Sequence, residues 1–384
     1  MNYIPSLDLT QQYATLSPTI NPLVQEILAS GNYIGGKVIE DFEQSFAEYL
    51  GAKYCIGCNS GTDALFLALR SLNIGPGDEV ITTPFTFFAT TEVISAVGAK
   101  PVFVDIEPNT YNLNLEQVEQ AITSQTKAIM PVHLFGQPVD MTRLMAIAQQ
   151  HNLLVIEDCA QSTGSSWQGQ KTGTIGHIGC FSFFPTKNLG ACGDAGAVIT
   201  NDENLANQVK ILKNHGQSAR YYYQEIGINS RLDALQAAIL NVKLTYLDQW
   251  NSQRQKIAEN YQQLCQNIPY LTCPETVTNS QSVWNQYTIK LNYSAINSDL
   301  NNPASQIKYR DELRQKLQNC GIGTMVYYPI PLHLQPVYEN LGYPVGSLPI
   351  AEAISHQVLS LPMFPELSLS QQETIVNKLK DCFT

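Results

Sequence analysis

Residues 153–190 read LLVIEDCAQSTGSSWQGQKTGTIGHIGCFSFFPTKNLG, and this stretch decides the fold. Two short apolar runs, LLVIED at 153–158 and CFSFF at 180–184, have the length and composition of buried β-strands. Each run is followed by polar residues and a turn, as strands are at the edge of an open α/β sheet. The stretch therefore predicts two buried strands with chemically useful side chains at their carboxyl ends.

The same pattern recurs on both sides of this stretch. Further runs that indicate buried strands are YCIGC (54–58), EVITTP (79–84), KPVFVDI (100–106), KAIMPVH (127–133) and AGAVIT (195–200). Amphipathic stretches such as DALFLALRSL (63–72) and MTRLMAIAQQHN (141–152) lie between them. Strands that alternate with helices predict an α/β fold with a mostly parallel central sheet.

A long helical run follows, RLDALQAAILNVKLTYLDQWNSQRQKIAENYQQL at 231–264, which contains neither glycine nor proline. Its apolar residues recur at three- and four-residue steps and so predict one helix face, formed by Leu232, Leu235, Ile239, Val242 and Tyr246. A single helix of this length would link two domains. We expect a large α/β domain over residues 1–250 and a smaller α+β domain over residues 251–384.

The composition excludes several classes of protein. The 384 residues are 44% apolar, enough for two packed cores, and 33 acidic against 22 basic residues give a net charge of −11, unlike a nucleic-acid binder. The chain has no apolar run long enough to span a bilayer, and its first residues do not form a signal peptide. The nine scattered cysteines fit a reducing compartment, so we expect a cytoplasmic protein without membrane or nucleic-acid partners.

Lys187 and Asp158 are the leading candidates for chemistry. Lys187 follows the CFSFF strand, where open α/β sheets build their sites, and a desolvated lysine there has a lowered pKa and can form an imine. Asp158 ends the LLVIED strand and could pair with the ring nitrogen of pyridoxal phosphate, whose protonated ring takes up electrons. A solvated loop lysine and an aspartate that caps the next helix are the alternative interpretations.

Three more positions fit the same cofactor. Gln161 could hydrogen-bond the ring's phenolic oxygen. The turn Ser60-Gly61-Thr62 opens a helix, so free N–H groups and the helix dipole would bind a phosphate; Gly61 permits close approach and Thr62 adds a hydroxyl. Phe87 could stack on the ring face. An ordinary helix N-cap and a core phenylalanine are the alternatives.

No metal site is expected from the sequence. Cys55 and Cys58 have CxxC spacing, but no second CxxC follows, and side chains three residues apart on a strand diverge. The six histidines show neither HxH nor HExxH spacing, which argues against a zinc hydrolase.

Five motifs in order resemble the DegT/DnrJ/StrS family: SGTDAL (60–65), TPFTFFATT (83–91), IEDCAQSTGS (156–165), FSFFPTKNLGACGDAG (181–196) and GINSRLDALQAAIL (227–240). The resemblance runs from SGNYIGGKVIEDFEQSFAEYLGA (30–52) to YYPIPLHLQPVY (327–338) and so covers nearly the whole chain. It implies the fold-type I architecture of enzymes that depend on pyridoxal 5′-phosphate, most of which are sugar aminotransferases.

The resemblance also implies roles for single residues. Lys187 would hold the cofactor as a Schiff base, the internal aldimine, and would shuttle protons, while Asp158 would pair with the pyridinium nitrogen. Gln161 would contact the ring oxygen and Phe87 would stack on the ring.

The phosphate of the cofactor would be held from two subunits. Ser182, Gly61 and Thr62 would bind it within one chain, and Asn229 would reach it from the neighbouring chain. A homodimer with shared active sites follows from this arrangement.

On the substrate side, HGQSARYYYQEIGINSRLDALQAAIL (215–240) and YYPIPLHLQPVY resemble enzymes that aminate keto sugars on nucleoside diphosphates. Tyr328 and His333 are the substrate-side candidates, and Tyr327 stands where related sequences often have histidine. The implied reaction is a ping-pong transamination. An amino acid, L-glutamate, leaves the cofactor as pyridoxamine 5′-phosphate, and a keto sugar then takes up the amino group.

Three alternative functions remain at this point. A sugar dehydratase of the same family would carry histidine in place of Lys187. An aminotransferase could instead act on a cyclitol or another small ketone. A regulatory or scaffold protein could bind the cofactor without catalysis, and would then not respond to glutamate.

Overall fold

The structure is a computed structural model that describes residues 3–383. Its strands are β1 (Tyr54–Cys58), β2 (Glu79–Thr82), β3 (Lys100–Phe103), β4 (Thr126–Ile129), β5 (Leu154–Asp158), β6 (Ser166–Trp167), β7 (Gln170–Lys171), β8 (Ile178–Ser182), β9 (Gly196–Thr200), β10 (Gln217–Ala219), β11 (Tyr222–Tyr223), β12 (Leu271–Thr272), β13 (Ser280–Gln281), β14 (Tyr287–Leu291) and β15 (Val358–Leu361).

Its helices are α1 (Thr10–Ser30), α2 (Lys37–Leu50), α3 (Gly61–Ser71), α4 (Ala89–Ala96), α5 (Leu115–Gln120), α6 (Met141–Gln150), α7 (Glu203–Leu212), α8 (Ala234–Leu244), α9 (Leu247–Cys265), α10 (Tyr293–Ile296), α11 (Pro303–Asn319), α12 (Pro349–Gln357) and α13 (Leu369–Phe383). Short 3₁₀ helices cover Leu134–Gly136, Leu332–Leu334 and Pro336–Leu341. Over residues 3–383, no helix combines the length and apolarity that crossing a membrane requires.

The seven predicted strands form one sheet in the order β1-β9-β8-β5-β4-β2-β3. Strand β9 runs antiparallel to β1 and β8, and the other neighbouring pairs are parallel. The prediction of an α/β fold with a mostly parallel central sheet is therefore confirmed.

Apolar side chains alternate between the two faces of this sheet, so that both faces are covered by helices. On β9, Val198 packs in one core with residues of α3 and α7, while Ala197 and Ile199 pack in another with residues of α2 and α8. Such double coverage explains why the strands read as continuous apolar runs in the sequence.

The polar residues of interest follow the carboxyl ends of parallel strands at one edge of the sheet. Asp158 ends β5 and Ser182 ends the neighbouring strand β8, while α3 begins at Gly61, three residues after β1. This is the edge at which open α/β sheets bind ligands.

A second core lies around the antiparallel sheet β12-β14-β15 and the helices α9, α11 and α13. Tyr261 and Tyr287 are fully buried in it, with ring centroids 4.9 Å apart. Ile4 joins this core from the amino-terminal segment and pairs with Ile322. The domain boundary predicted at residue 250 falls inside α9, and the division into 1–250 and 251–384 stays a prediction.

The single long helix predicted over 231–264 is wrong, because α8 ends at Leu244 and α9 begins at Leu247. At the break, the N–H groups of Thr245 and Tyr246 bond to carbonyls three residues back, and the Thr245 hydroxyl donates to the carbonyl of Val242 at 2.8 Å. These bonds replace the four-residue spacing that would continue an α-helix.

Candidate active site

A cavity of about 450 Å³ opens at the carboxyl edge of the central sheet, a volume usual for small-molecule sites. It brings together most of the residues predicted from the sequence: Gly61, Thr62, Phe87, Asp158, Gln161, Ser182, Lys187 and Tyr328. The fold thus collects side chains that lie up to 267 positions apart in the chain, from Gly61 to Tyr328.

Asp158 is 4% exposed and presents its carboxylate to this cavity. The backbone N–H of Ala160 donates to Oδ1 at 3.1 Å and the hydroxyl of Thr90 donates to Oδ2 at 2.8 Å. Burial raises the pKa of Asp158, while these two donors and the nearby Lys187 act in the opposite direction. The two hydrogen bonds therefore help keep a buried carboxylate ionised.

Lys187 lies in the turn after β8, where its N–H donates to the carbonyl of Phe184 at 2.9 Å. Burial lowers the pKa of Lys187 to about 8, and the charge of Asp158 partly opposes that shift. An amine with this pKa is neutral in a substantial fraction near physiological pH, and the neutral form is the nucleophile that attacks a carbonyl.

The residue after the lysine anchors the turn to distant parts of the chain. Asn188 is buried and its Nδ2 donates to Oδ1 of Asn251 on α9 at 2.7 Å and to the carbonyl of Val283 at 2.8 Å. Asn285 in turn donates to Oδ1 of Asn188 at 2.8 Å. With both ends of its amide bonded, Asn188 fixes the backbone that carries Lys187.

The opposite end of the cavity is suited to an anion. Ser60 caps α3 and its hydroxyl accepts from the N–H of Asp63 at 3.0 Å, so the first N–H groups of the helix, at Gly61 and Thr62, have no partner within the helix. A Cβ on Gly61 would lie 2.6 Å from Cβ of Ser182. Glycine is therefore required by the close approach of α3 to β8, which brings the Ser182 hydroxyl beside the helix end.

The Gln161 side chain is fixed at both ends of its amide. Its Oε1 accepts from the backbone N–H of Phe135 at 2.7 Å, and its Nε2 donates to the hydroxyl of Tyr328 at 2.9 Å. Because a backbone N–H can only donate, the oxygen of the amide faces Phe135 and the NH₂ group faces Tyr328 and the cavity.

The model of the DegT/DnrJ/EryC1/StrS aminotransferase family matches residues 15–380. The chain belongs to this family. The resemblance inferred from the five motifs is thereby confirmed, together with the aminotransferase fold that it implied.

Relatives of this aminotransferase match over nearly their whole lengths. It is 47% identical over 382 residues to a protein of Geobacillus stearothermophilus named pleiotropic regulatory protein, covering 99% of this chain and 98% of the relative. It is 40% identical over 378 residues to a dTDP-3-amino-3,4,6-trideoxy-alpha-D-glucose transaminase of Streptomyces venezuelae, and the match covers 98% of this chain and 96% of the relative. The crystal structure of S. venezuelae DesV in complex with a ketimine intermediate superposes with a TM-score of 0.93 at 40% sequence identity. The superposition covers 99% of this chain and 98% of the DesV chain.

The side chains of the adjacent residues Phe87 and Phe88 lie in different surroundings. Phe87 lines the cavity and its side chain is 59% exposed, whereas Phe88 packs near Tyr338, with ring centroids 5.9 Å apart. Phe87 is thus available to stack on a ring that enters from the open side.

Two predicted site residues do not line the cavity of their own chain. Asn229 is exposed, and the next residue, Ser230, donates to Asp63 at the start of α3 at 2.7 Å. His333 is buried, and its Nε2 lies 3.1 Å from Oε1 of Glu352. The structure therefore brings neither residue together with Lys187 in one chain.

Several cavity residues were not found from the sequence: Thr86, Thr90, Asp194 and Gln286 line it as well. Thr90 lies in the TPFTFFATT motif that pointed to Phe87, and Asp194 lies in the motif around Lys187, so both had a local signal. Gln286 had none, because it reaches the site from the second core.

Glu157 faces away from the cavity, as expected for the neighbour of Asp158 on a strand. It accepts from the N–H groups of Gly173, Ile175 and Gly176 at 2.6–2.8 Å and lies 3.0 Å from Nε2 of His133. Burial raises the pKa of the nearby Cys159 thiol well above its usual value. These protein donors satisfy Glu157, which braces the loop that leads into β8.

Proposed function

We propose that this aminotransferase uses pyridoxal 5′-phosphate to move an amino group from an amino acid, L-glutamate, to a keto sugar carried on a nucleoside diphosphate. The observation that carries the proposal is the meeting of three parts in one cavity: Lys187 with its lowered pKa, the buried carboxylate of Asp158, and the open end of α3. The relative that acts on a dTDP-linked amino sugar supports the choice of substrate class.

The donors and acceptors of the cavity fit this cofactor. The N–H groups of Gly61 and Thr62 and the Ser182 hydroxyl would hold the phosphate, and Asp158 would pair with the protonated ring nitrogen. Gln161 would donate to the ring oxygen, and Phe87 would cover one face of the ring. When bound, pyridoxal phosphate supplies an aldehyde that condenses with amines and a ring that takes up electron density.

The two charged residues divide the work between them. Lys187 would hold the cofactor and would accept and return a proton at the reacting carbon of the substrate. A pKa of about 8 suits a group that must act as both base and acid. Asp158, whose carboxylate accepts from Thr90 and Ala160, would pair with the protonated ring nitrogen of the cofactor.

We further propose a cytoplasmic homodimer whose two active sites each use residues of both chains. Asn229 would reach the partner's phosphate site, which agrees with its exposure and with its absence from the cavity of its own chain. The β10–β11 hairpin beside it exposes Tyr221, Tyr222, Tyr223 and Ile226, an apolar surface that contact with a second chain would cover.

A catalytic role is favoured over the alternatives by the residues themselves. A sugar dehydratase would lack the lysine that stands at position 187. One relative is named a regulatory protein, but this chain keeps Lys187, Asp158 and Gln161 together in the cavity, and a Lys187 pKa of about 8 suits proton transfer as well as attachment of the cofactor.

The test is spectroscopic, and its first half requires only the amino donor. Protein purified with pyridoxal phosphate should be yellow, and L-glutamate should bleach the colour and release 2-oxoglutarate. Keto sugars on dTDP and UDP would then be screened for restoration of the colour.

Lys187→Ala should abolish turnover, while Lys127→Ala, at an exposed position on β4, should leave it unchanged. Substantial aminotransfer by Lys187→Ala would disprove the assignment of the lysine, and a protein that binds the cofactor but ignores every amino donor would disprove catalysis.

A further inference from the structure

The hydroxyl of Tyr328 has a proton whose direction is fixed by its neighbours. Oε1 of Gln161 is occupied by the N–H of Phe135, so the Gln161 amide can only donate to Tyr328 across their 2.9 Å contact. The oxygen of Tyr328 is the acceptor in that bond. Its own proton must therefore point to some other acceptor.

Within residues 3–383, the Tyr328 hydroxyl makes no other hydrogen bond, although Tyr328 lines the cavity. Its ring is held in place by Phe85, whose centroid lies 6.0 Å away, and by Tyr327 at 5.7 Å. Burial raises the pKa of Tyr328, so the proton stays on the oxygen at working pH. Tyr328 is half-buried, and its hydroxyl proton is free for an acceptor in the cavity, where a hydrogen bond partly shielded from water would be favourable.

We propose that Tyr328 is a second hydrogen-bond donor, beside Gln161, to the phenolic ring oxygen of the cofactor, and so acts on the cofactor rather than on the sugar. This inference rests on the proposed function, because it needs a bound pyridoxal phosphate. The two donors are adjacent, and they approach the cavity from the loop after β5 and from the segment before the 3₁₀ helix at Leu332–Leu334.

The consequence is electrostatic. With the cofactor held by Lys187, the ring oxygen and the Lys187 nitrogen would compete for one proton, and donors that stabilise negative charge on the oxygen would weaken the hold on that proton. Tyr328 would therefore lower the pH midpoint at which the Lys187 nitrogen loses this proton, which is observed as a change in the visible absorbance of the bound cofactor. Asp158, Lys187, Asp194 and Tyr327 are the other titratable groups that line the same cavity, and the Tyr328→Phe substitution leaves all four unchanged.

The experiment compares the cofactor-loaded protein with Tyr328→Phe, and uses Tyr327→Phe as the matched control because Tyr327 lines the cavity without bonding Gln161. The pH midpoint of the visible absorbance should rise by about one unit in Tyr328→Phe, as expected for loss of one hydrogen bond to a charged group. The midpoint should not move in Tyr327→Phe.

A double-mutant cycle with Gln161→Ala tests the orientation argument. If Gln161 directs the Tyr328 proton, the shift caused by Tyr328→Phe should be smaller in the Gln161→Ala background. An unmoved midpoint in Tyr328→Phe, with a raised KM for the keto sugar alone, would overturn the inference and leave the proposed function standing. A protein that never binds the cofactor would instead refute the proposed function.

Discussion

The hydroxyl of Thr90 donates to Oδ2 of Asp158 across 2.8 Å and so joins the first turn of α4 to the end of β5. Both residues are buried, and their bond lowers the pKa of a carboxyl group that burial raises. Thr90 also lies 3.1 Å, Oγ1 to Oγ1, from Thr86. The Thr90 hydroxyl is thus a side-chain donor that favours the ionised form of Asp158 and opposes the effect of burial.

Replacing Thr90 by valine keeps the shape of the side chain and removes the donor. The pKa of Asp158 should rise, and the affinity for pyridoxal phosphate should fall about tenfold, because a hydrogen bond to a charged group contributes about 1.5–3 kcal/mol. The loss should grow as the pH falls, since the carboxylate of the variant protonates at a higher pH. Titration of the apoprotein with the cofactor at several pH values measures both effects.

Thr91→Val provides the matched control. Thr91 lies on the same helix, but its hydroxyl donates to the carbonyl of Phe88 at 3.2 Å and does not line the cavity. Its cofactor affinity should equal that of the parent protein at every pH. Equal losses in the two variants would mean that Thr90 supports the fold of α4 and not the charge of Asp158.

The reactivity of Lys187 should follow its lowered pKa. In the apoprotein, acetylation of the Lys187 peptide, quantified by mass spectrometry, should increase with pH through a midpoint near 8, because only the neutral amine reacts. The exposed Lys127 provides a reference profile in the same sample.

Asp158→Asn should move the Lys187 midpoint below 8. The carboxylate is the group that opposes the effect of burial, so its loss leaves burial alone to favour the neutral amine. A midpoint that rises in this variant, or one near 10.5 in the parent, would contradict the assigned causes of the shift.

A methyl group on Gly61 should separate α3 from β8. Its Cβ would lie 2.6 Å from Cβ of Ser182, so Gly61→Ala should reduce the free energy of unfolding by about 1–3 kcal/mol, the usual cost of overpacking, and should weaken phosphate binding. Adding Ser182→Gly should restore part of the stability, because the Cα of residue 182 would still lie 3.1 Å from the new Cβ, and it should not restore the affinity for phosphate, because the hydroxyl is lost.

Gly75→Ala is the control for a glycine outside the site. There the nearest atom to a new Cβ is the carbonyl oxygen of Val97 at 3.6 Å, which is ordinary contact. Thermal unfolding and phosphate titration of this variant should match the parent. If the stability and the phosphate affinity of Gly61→Ala also match those of the parent protein, the close approach of α3 to β8 does not require glycine at position 61.

The sequence predicts the sheet and the outline of the site because both depend on local patterns. All seven strands of the central sheet appear as short apolar runs, and Lys187, Asp158 and Gly61 stand beside strand ends that parallel topology brings to one edge. Local composition is enough to find such residues when each has a characteristic neighbour in the chain.

What the sequence does not reveal depends on contacts between distant residues. The Asn188 amide bonds to Asn251 and Val283, and Gln286 enters the cavity from the second core, with no local pattern to indicate either. His333 looks like a site residue by type, but it is buried in the interior, where its Nε2 lies 3.1 Å from Oε1 of Glu352. The break between α8 and α9 was also missed, since no glycine or proline marks it.

Shared active sites can be tested by mixing two variants that each lack a different part of the site. Lys187→Ala lacks the reactive amine, and Asn229→Ala should lack the contact to the partner's phosphate site. In a mixed dimer, the site that contains Lys187 from the Asn229→Ala chain receives Asn229 from the Lys187→Ala chain and is complete. Random reassembly gives half mixed dimers with one complete site each, so about a quarter of the parent activity should return.

The two variants would be unfolded together, refolded, and assayed at constant total protein, with size-exclusion chromatography and differently tagged chains to verify that mixed dimers form. Lys187→Ala refolded alone should remain inactive, Asn229→Ala refolded alone should keep only its own reduced activity, and both serve as controls. Mixed dimers without recovered activity would mean that Asn229 acts only within its own chain, in conflict with its exposed position outside that chain's cavity.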